Sequence, residues 1–315
     1  MVKMATKKLA VPRSAFKELS ASFVNNVPGV WVADSGKSGP IVGITVSTHG
    51  NEPSGLFAYH YFRHDYNLQQ QLLRGKVYFV LNNIKASARY FAAKNEDTRK
   101  RAREVDINMN RLPNSTFSLK DDSRYEIQRA QELKKIWDRF DYALDIHSMT
   151  QNAAPMIVSL TRSDIRMVAR FPIDTIISNI DAVQKGKPTS YFYGKKKAMV
   201  YGIETGSHEF ASSFDVSIAC TMTFLALCGV ISQKGLAKKR SHTKYRVFDS
   251  VWFQDKSYEL TRVFKTFHSV KKGEIIARGN GTPIVARENC YSLFAPDGTK
   301  PKNITDEVLF LAHKV

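Results

Sequence analysis

A histidine and a glutamate three residues apart, His49 and Glu52, stand in the turn after an apolar strand, and a second strand-end histidine, His147, lies far downstream. Together they would give one zinc ion three ligands and leave its fourth position for water, the arrangement of a hydrolytic rather than a structural site. The pair alone proves little, because 8 His and 29 acidic residues among 315 positions yield roughly one His-x-x-acid pair by chance. Its context says more. Residues 41–48 read as a buried strand, and Gly50, Pro53 and Gly55 suit a tight turn into a helix, which would face His49 and Glu52 the same way at the helix entrance. A solvated loop histidine beside a first-turn glutamate, favoured by the helix dipole, explains the same residues without a metal.

His147 closes the apolar run Ala143-Leu144-Asp145-Ile146, where Asp145 is either a partner that orients a ligand or an edge residue. Glu204 ends another apolar strand, just before Thr205 and Gly206. A carboxylate there is costly unless it is paired or moves protons, since burial raises its pKa toward the range of a general base; capping the next helix, or pairing with Lys195 to Lys197, is the structural alternative. Between Arg101 and Arg111, Arg, Asp and Asn alternate around few apolar residues, a pattern suited to gripping a carboxylate or simply to a basic loop.

The elements that must position these residues follow from hydrophobic periodicity. Short β-branched runs at 41–47, 76–81, 142–146, 156–160, 173–178 and 198–203 alternate with helical patterns at 54–73, 121–140 and 215–231. In 121–140, Ile127, Ala130, Leu133, Ile136 and Phe140 share one face, with Asp121 or Asp122 available as a cap. The fold class expected is α/β, with a mixed, largely parallel central sheet flanked by helices. All the candidate residues then fall at or near the carboxyl ends of strands, where open α/β sheets bind ligands. Composition changes near residue 236. A basic linker, 236–243, separates an expected catalytic domain, 1–235, from a small all-β domain, 244–315, marked by turns at Lys272-Gly273, Gly279-Asn280-Gly281 and Pro296-Asp297-Gly298.

Three cysteines without CxxC spacing argue against a disulfide framework and against a thiolate metal site, so a reducing compartment is expected. The N-terminus has positive charge but no apolar core of a signal peptide, and the longest apolar run, 218–231, is too short for a membrane span. A cytoplasmic protein with no membrane partner is the expectation. The net charge of +18 raises nucleic acid as a partner, yet the basic residues are scattered and lack aromatic interleaving, so none is expected.

Taken jointly, His49-Gly50-Asn51-Glu52-Pro53, Asp106-Ile107-Asn108-Met109-Asn110-Arg111, Asp145-Ile146-His147-Ser148 and Gly202-Ile203-Glu204-Thr205-Gly206 resemble, in order and spacing, the succinylglutamate desuccinylase/aspartoacylase family, relatives of the zinc carboxypeptidases. The resemblance covers most of residues 40–315. It implies one Zn2+ per subunit on His49, Glu52 and His147, with Glu204 as the proton-transferring catalyst and Arg103 polarising the scissile carbonyl. It also assigns Asn110 and Arg111 to a substrate carboxylate, and Tyr291 to a tyrosine folded over the substrate. Asn108 stands where the family usually carries aspartate, and Ser207-His208-Glu209-Phe210 departs from the aspartoacylase form. The activity implied is zinc-dependent removal of an acyl group from an N-acyl amino acid with a free carboxylate. A metallocarboxypeptidase acting on peptides uses the same machinery, and a non-catalytic basic binding protein is the alternative from another class.

Overall fold

The computed structural model describes residues 10–150, 153–160, 163, 165–194, 198–208, 210–236, 239–300 and 306–315. Lys195 to Lys197, named above as an alternative pairing for Glu204, and Glu209 lie outside the described residues.

Eleven strands form one mixed sheet: β1 (Val30–Asp34), β2 (Ile41–Val46), β3 (Lys76–Leu81), β4 (Tyr142–Met149), β5 (Met156–Ser159), β6 (Thr175–Ser178), β7 (Met199–Ser207), β8 (Thr243–Val251), β9 (His268–Val270), β10 (Cys290–Leu293) and β11 (Leu309–Lys314). Their spatial order is β9-β10-β11-β8-β6-β5-β7-β4-β2-β3-β1. At the centre, β3, β2, β4 and β7 run parallel, so their carboxyl ends come out along one edge. The register puts His147 directly across from Glu204. Val42, Ile44, Val46, Ala143, Leu144, Ile146, Val200, Tyr201 and Ile203 have no exposed surface, which is why these strands read as continuous apolar runs rather than alternating ones.

Helices cover the sheet. The helix Ala211–Leu227 buries Cys220, Phe224 and Leu225 in the same core cluster as Val46, Ile146 and Ile203. On the other side, the helix Tyr125–Trp137 buries Ile127, Ala130, Leu133 and Ile136, the face expected from the sequence. Its amino end differs from expectation: neither Asp121 nor Asp122 caps it, and Asp106 Oδ2 accepts the Tyr125 N–H at 2.7 Å instead. The helical pattern at 54–73 is broken into Ser54–His60, a wide turn at Tyr61–Asp65 and a short helix Leu68–Gln71. Asn67, at φ 52°, takes the left-handed conformation that stops helix propagation.

Four of the C-terminal strands join the central sheet. β8 pairs in parallel with β6 from Thr243↔Thr175 to Arg246↔Ser178, so the central sheet continues into β8, β11, β10 and β9. Residues 244–315 nevertheless hold a core cluster of their own, with Phe253, Tyr258, Phe264, Ile276 and Leu309 buried together, and a separate small sheet of Glu259–Leu260, Ile275–Arg278 and Ile284–Val285. Among the described residues no helix is long and apolar enough to cross a membrane. Cys220, Cys228 and Cys290 are free and buried.

Candidate active site

The turn after β2 sets the site. Ser47 has φ 50°, and the Asn82 and Asn83 N–H groups donate to Val46 and Ser47 carbonyls, so the chain leaves the strand on a fixed course. Gly50 follows, packed so closely that a Cβ would stand 2.3 Å from the Ala86 carbonyl carbon and 2.4 Å from the Ala102 oxygen. Its N–H donates to the Arg103 carbonyl at 2.9 Å. That close passage ties the turn carrying His49 and Glu52 to the loop carrying Arg103.

His49 Nδ1 lies 2.7 Å from Glu52 Oε1, and His147 Nδ1 lies 2.9 Å from Glu52 Oε2. One donor atom from each of these three buried residues falls within 4.8 Å of the others, so they form a group that can hold a metal ion. The outer ring nitrogens are also held. Asn108 Oδ1 lies 2.9 Å from His49 Nε2, and Asp145 Oδ2 lies 3.1 Å from His147 Nε2. Fixing the far nitrogen is how ligand histidines keep their tautomer and orientation, so the donor set and its supports fit a metal. Asp145 is in turn held by the Thr45 hydroxyl at 2.7 Å, the Thr48 hydroxyl at 3.1 Å and the Tyr193 hydroxyl at 3.4 Å. The Asn108 amide donates to Asp306 Oδ2 at 2.8 Å, which places an aspartate one step behind the asparagine.

Electrostatics sort the carboxylates. Burial works to raise the Glu52 pKa, but His49 and His147 outweigh it and hold the group well below the ordinary value. Burial works to lower His147, while Asp145 and Glu52 carry it well above the imidazole range. Burial lowers His49, helped by the Arg103 charge. Glu204 has less compensation. Burial pushes its carboxyl up to about 8 against the pull of His147, and its Oε2 is buried without a partner among the described residues.

The group opens into a cavity of about 570 Å3 whose walls include His49, Glu52, Arg103, Asn110, Arg111, His147 and Glu204. Arg103 Nη1 donates to Glu52 Oε1 at 3.0 Å, with the side chain two-fifths exposed toward the opening. Arg111 is already engaged: its Nε donates to Glu307 Oε2 at 2.7 Å, and its Nη1 donates to the Asn110 carbonyl. Asn110 Oδ1 accepts the Thr189 N–H at 3.0 Å. Tyr291 is the one expected site residue that the structure does not bring to these walls. It lies in β10 opposite Ala312, with its ring 5.4 Å from that of Tyr245. The residues that the C-terminal segment does bring include Phe294, Asp297, Asp306 and Glu307.

Sequence reading missed several supports. Glu126, at the start of its helix and fully buried, accepts the N–H groups of Val105, Asp106 and Ile107 at 2.7, 3.0 and 3.1 Å, and the Asn83 amide at 3.0 Å. One carboxylate thus fixes residues 105–107 in the middle of the loop from Arg103 to Arg111. Ser148 and His208 were missed as well. The Ser148 N–H donates to Glu52 Oε2 at 3.3 Å, and its hydroxyl lies 2.8 Å from His208 Nδ1. A histidine following the Glu204 strand in a segment already seen to depart from the aspartoacylase form was the available signal.

The catalytic-domain profile described as Succinylglutamate desuccinylase/Aspartoacylase catalytic domain matches residues 38–206, more than half of the chain. The chain belongs to that family. Solved structures agree on the fold of this family member. Succinylglutamate desuccinylase from Vibrio cholerae has 16% identity and a TM-score of 0.69, over 89% of this chain and 82% of that one. The ectoine utilization protein EutE (DoeB) from Ruegeria pomeroyi, in a product-bound structure, has 18% identity and a TM-score of 0.64, over 91% and 88%. Murine aminoacylase 3 has 18% identity and a TM-score of 0.64, over 89% and 96%. A search of curated proteins finds no match. The family is one of deacylases, and in this member the matched segment runs from before β2 to Gly206, spanning His49, Glu52, His147 and Glu204.

Proposed function

We propose that the protein is a zinc-dependent amidohydrolase that removes the acyl group from an N-acyl amino acid. The observation that carries this reading is the juxtaposition of a three-donor metal group with a buried carboxyl, Glu204, whose free oxygen faces no protein partner among the described residues. Zinc on His49, Glu52 and His147 would supply a Lewis acid and bring the pKa of water down to about 7.

The chain's own residues do the rest. Glu204 takes the proton from the attacking water and returns it to the amine nitrogen as the amide bond breaks, a task suited to a carboxyl raised toward neutrality. Arg103, beside Glu52 at the cavity opening, hydrogen-bonds the carbonyl oxygen as negative charge develops on it. Asn110 and Arg111 orient the amino-acid end through its carboxylate, Arg111 turning its remaining N–H groups to the substrate while Glu307 fixes its Nε. With zinc bound, His49 and His147 would be neutral ligands, the ion taking the place of the His147 proton, and Asn108 and Asp145 would hold their far ring nitrogens.

Glu204→Gln tests this directly. Removing proton transfer while keeping the shape lowers kcat by about 10²–10⁴-fold, with bound zinc unchanged by metal analysis. A Glu204→Gln protein that retains wild-type turnover refutes the assignment.

A further inference from the structure

The floor of the main cavity turns apolar one strand away from Glu204. Asp145 and His147 on β4, and Gly202 and Glu204 on β7, are two apart along their strands, so each pair shares a face, and all four line the cavity. Gly202 stands opposite Asp145 on one side and opposite Val158 of β5 on the other. Packing does not demand a glycine there, because a Cβ would stand 3.4 Å from the Val158 Cβ, an ordinary contact. What the missing side chain does is leave room between the catalytic carboxyl and Val158. At about 3.3 Å per residue along a strand and about 4.8 Å between strands, the two backbones are about 8 Å apart.

Beyond Gly202 the accessible surface is hydrocarbon. Val158 is the one residue of β5 that is not fully buried, although β6 and β7 pair with that strand on both edges, so its exposure is toward the cavity. Phe294 is also half-buried, and Met149, Leu160, Ile180 and Phe310 keep 8%, 6%, 8% and 3% of their surface accessible. All six line the cavity and belong to one packed cluster, so they form a continuous patch. The Arg111 guanidinium lies 5.9 Å from the centre of the Phe310 ring, which puts the patch beside the residue expected to hold a carboxylate.

The charges around the cavity are already committed. Among the described residues its walls carry four lysines and arginines, and each meets a carboxylate: Lys100 with Glu96, Arg103 with Glu52, Arg111 with Glu307 and Lys300 with Glu259. Arg111 keeps N–H groups for one carboxylate, but no second cation is left uncommitted for another. A charged side chain laid on the patch would lose its water without gaining a partner, whereas an apolar one gains by leaving water.

We propose that this patch receives the side chain of the amino acid, so that the substrates are N-acyl derivatives of apolar amino acids of leucine to phenylalanine size. The inference rests on the deacylase reading, which seats the α-carboxylate on Arg111. The α-carbon bears the side chain as well as that carboxylate, so the side chain falls on the surface next to Arg111. The cavity, about 570 Å3, has the size of a small-molecule pocket and holds both the reacting amide and such a group.

The test compares N-acetyl-L-leucine with N-acetyl-L-aspartate, and with N-isovalerylglycine, which carries its branched apolar group on the acyl side. With the zinc-loaded full-length protein, kcat/KM is expected to favour the leucine compound over each by at least about tenfold. Equal rates, or a preference for either of the others, overturn the proposal. Gly202→Val and Val158→Phe fill the patch from neighbouring strands. Each is expected to lower the preference for N-acetyl-L-leucine over N-acetyl-L-alanine by at least about tenfold, and an unchanged preference in a folded variant overturns the patch. Binding supplies a readout without turnover. Titrated calorimetrically into zinc-loaded Glu204→Gln protein, N-acetyl-L-leucine is expected to bind at least about tenfold more tightly than N-acetyl-L-aspartate; equal affinity, or no binding, overturns the proposal. Hydrolysis without side-chain preference retires the apolar patch and leaves the deacylase reading standing. Leucine-selective binding without hydrolysis of any of these compounds by the wild-type protein retires the deacylase reading and, with it, the assignment to an amino-acid side chain.

Discussion

At the scale of single residues, Glu204 has a consequence for stability as well as for turnover. Burial carries its carboxyl up to about 8 in the metal-free protein, whereas the unfolded chain releases the same proton near the ordinary value of 4.5. Between those two values the folded state binds more protons than the unfolded state, so this group's contribution to stability falls as pH rises. His147, raised by Asp145 and Glu52 against its own burial, adds a loss of the same sign above pH 6.5. Glu52 works oppositely, stabilising above pH 4.5 and losing that contribution only as pH falls through its depressed value. Gln at position 204 cannot titrate. The metal-free Glu204→Gln protein is therefore expected to gain Tm relative to wild type between pH 5 and pH 9, and a constant difference across that range contradicts the burial argument. Residue chemistry was the most legible level of the sequence: His49, Glu52, His147 and Glu204 could be named because strand ends and a glycine-rich turn bracket them. Glu307 and Asp306 could not, since nothing local to residues 306–307 says that they meet Arg111 and Asn108.

At the scale of elements, the site depends on how two loops are locked at strand ends. Gly50 is the contact point, because any Cβ there would overlap Ala86 and Ala102 backbone atoms. Gly50→Ala must move the His49 turn away from the Arg103 loop, at about 1–3 kcal/mol for overpacking. The expected result is a lower Tm together with weaker metal binding than wild type; unchanged zinc affinity contradicts the view that this passage positions the ligands. Strands were readable where both faces are buried, because a run such as Ile41–Val46 has no charged interruption. Helix boundaries were less so. The 54–73 pattern keeps its apolar spacing through Tyr61–Asp65, while the break at Asn67 depends on a left-handed residue that periodicity does not reveal. Tyr291 shows the same limit: a tyrosine in a matching short segment carries no statement of register, and in β10 it packs on Tyr245 rather than over the cavity.

At the scale of the whole molecule, the cavity is walled by chain segments that lie 196 and 198 residues apart at their joins. Arg111 and Glu307 form the clearest join, with the arginine 17% and the glutamate 0% exposed and the Lys185 N–H donating to the same carboxylate at 2.5 Å. Glu307→Ala leaves a nearly buried guanidinium unpaired, so a loss of about 3–5 kcal/mol is expected in denaturant unfolding; a loss below about 1 kcal/mol contradicts the idea that this join anchors the C-terminal segment to the site. The change of composition near residue 236 was visible in the sequence, but continuity of the sheet across it was not, because parallel pairing of β8 with β6 is a long-range choice that linker residues do not encode.

The measurement closest to the central claim is release of free primary amine from a mixed pool of N-acyl amino acids by the zinc-loaded protein, with and without chelator. The account predicts amine release that chelator abolishes, that returns on adding zinc, and that Glu204→Gln lacks. Release that persists in chelator, or no release while zinc stays bound at His49, Glu52 and His147, contradicts it.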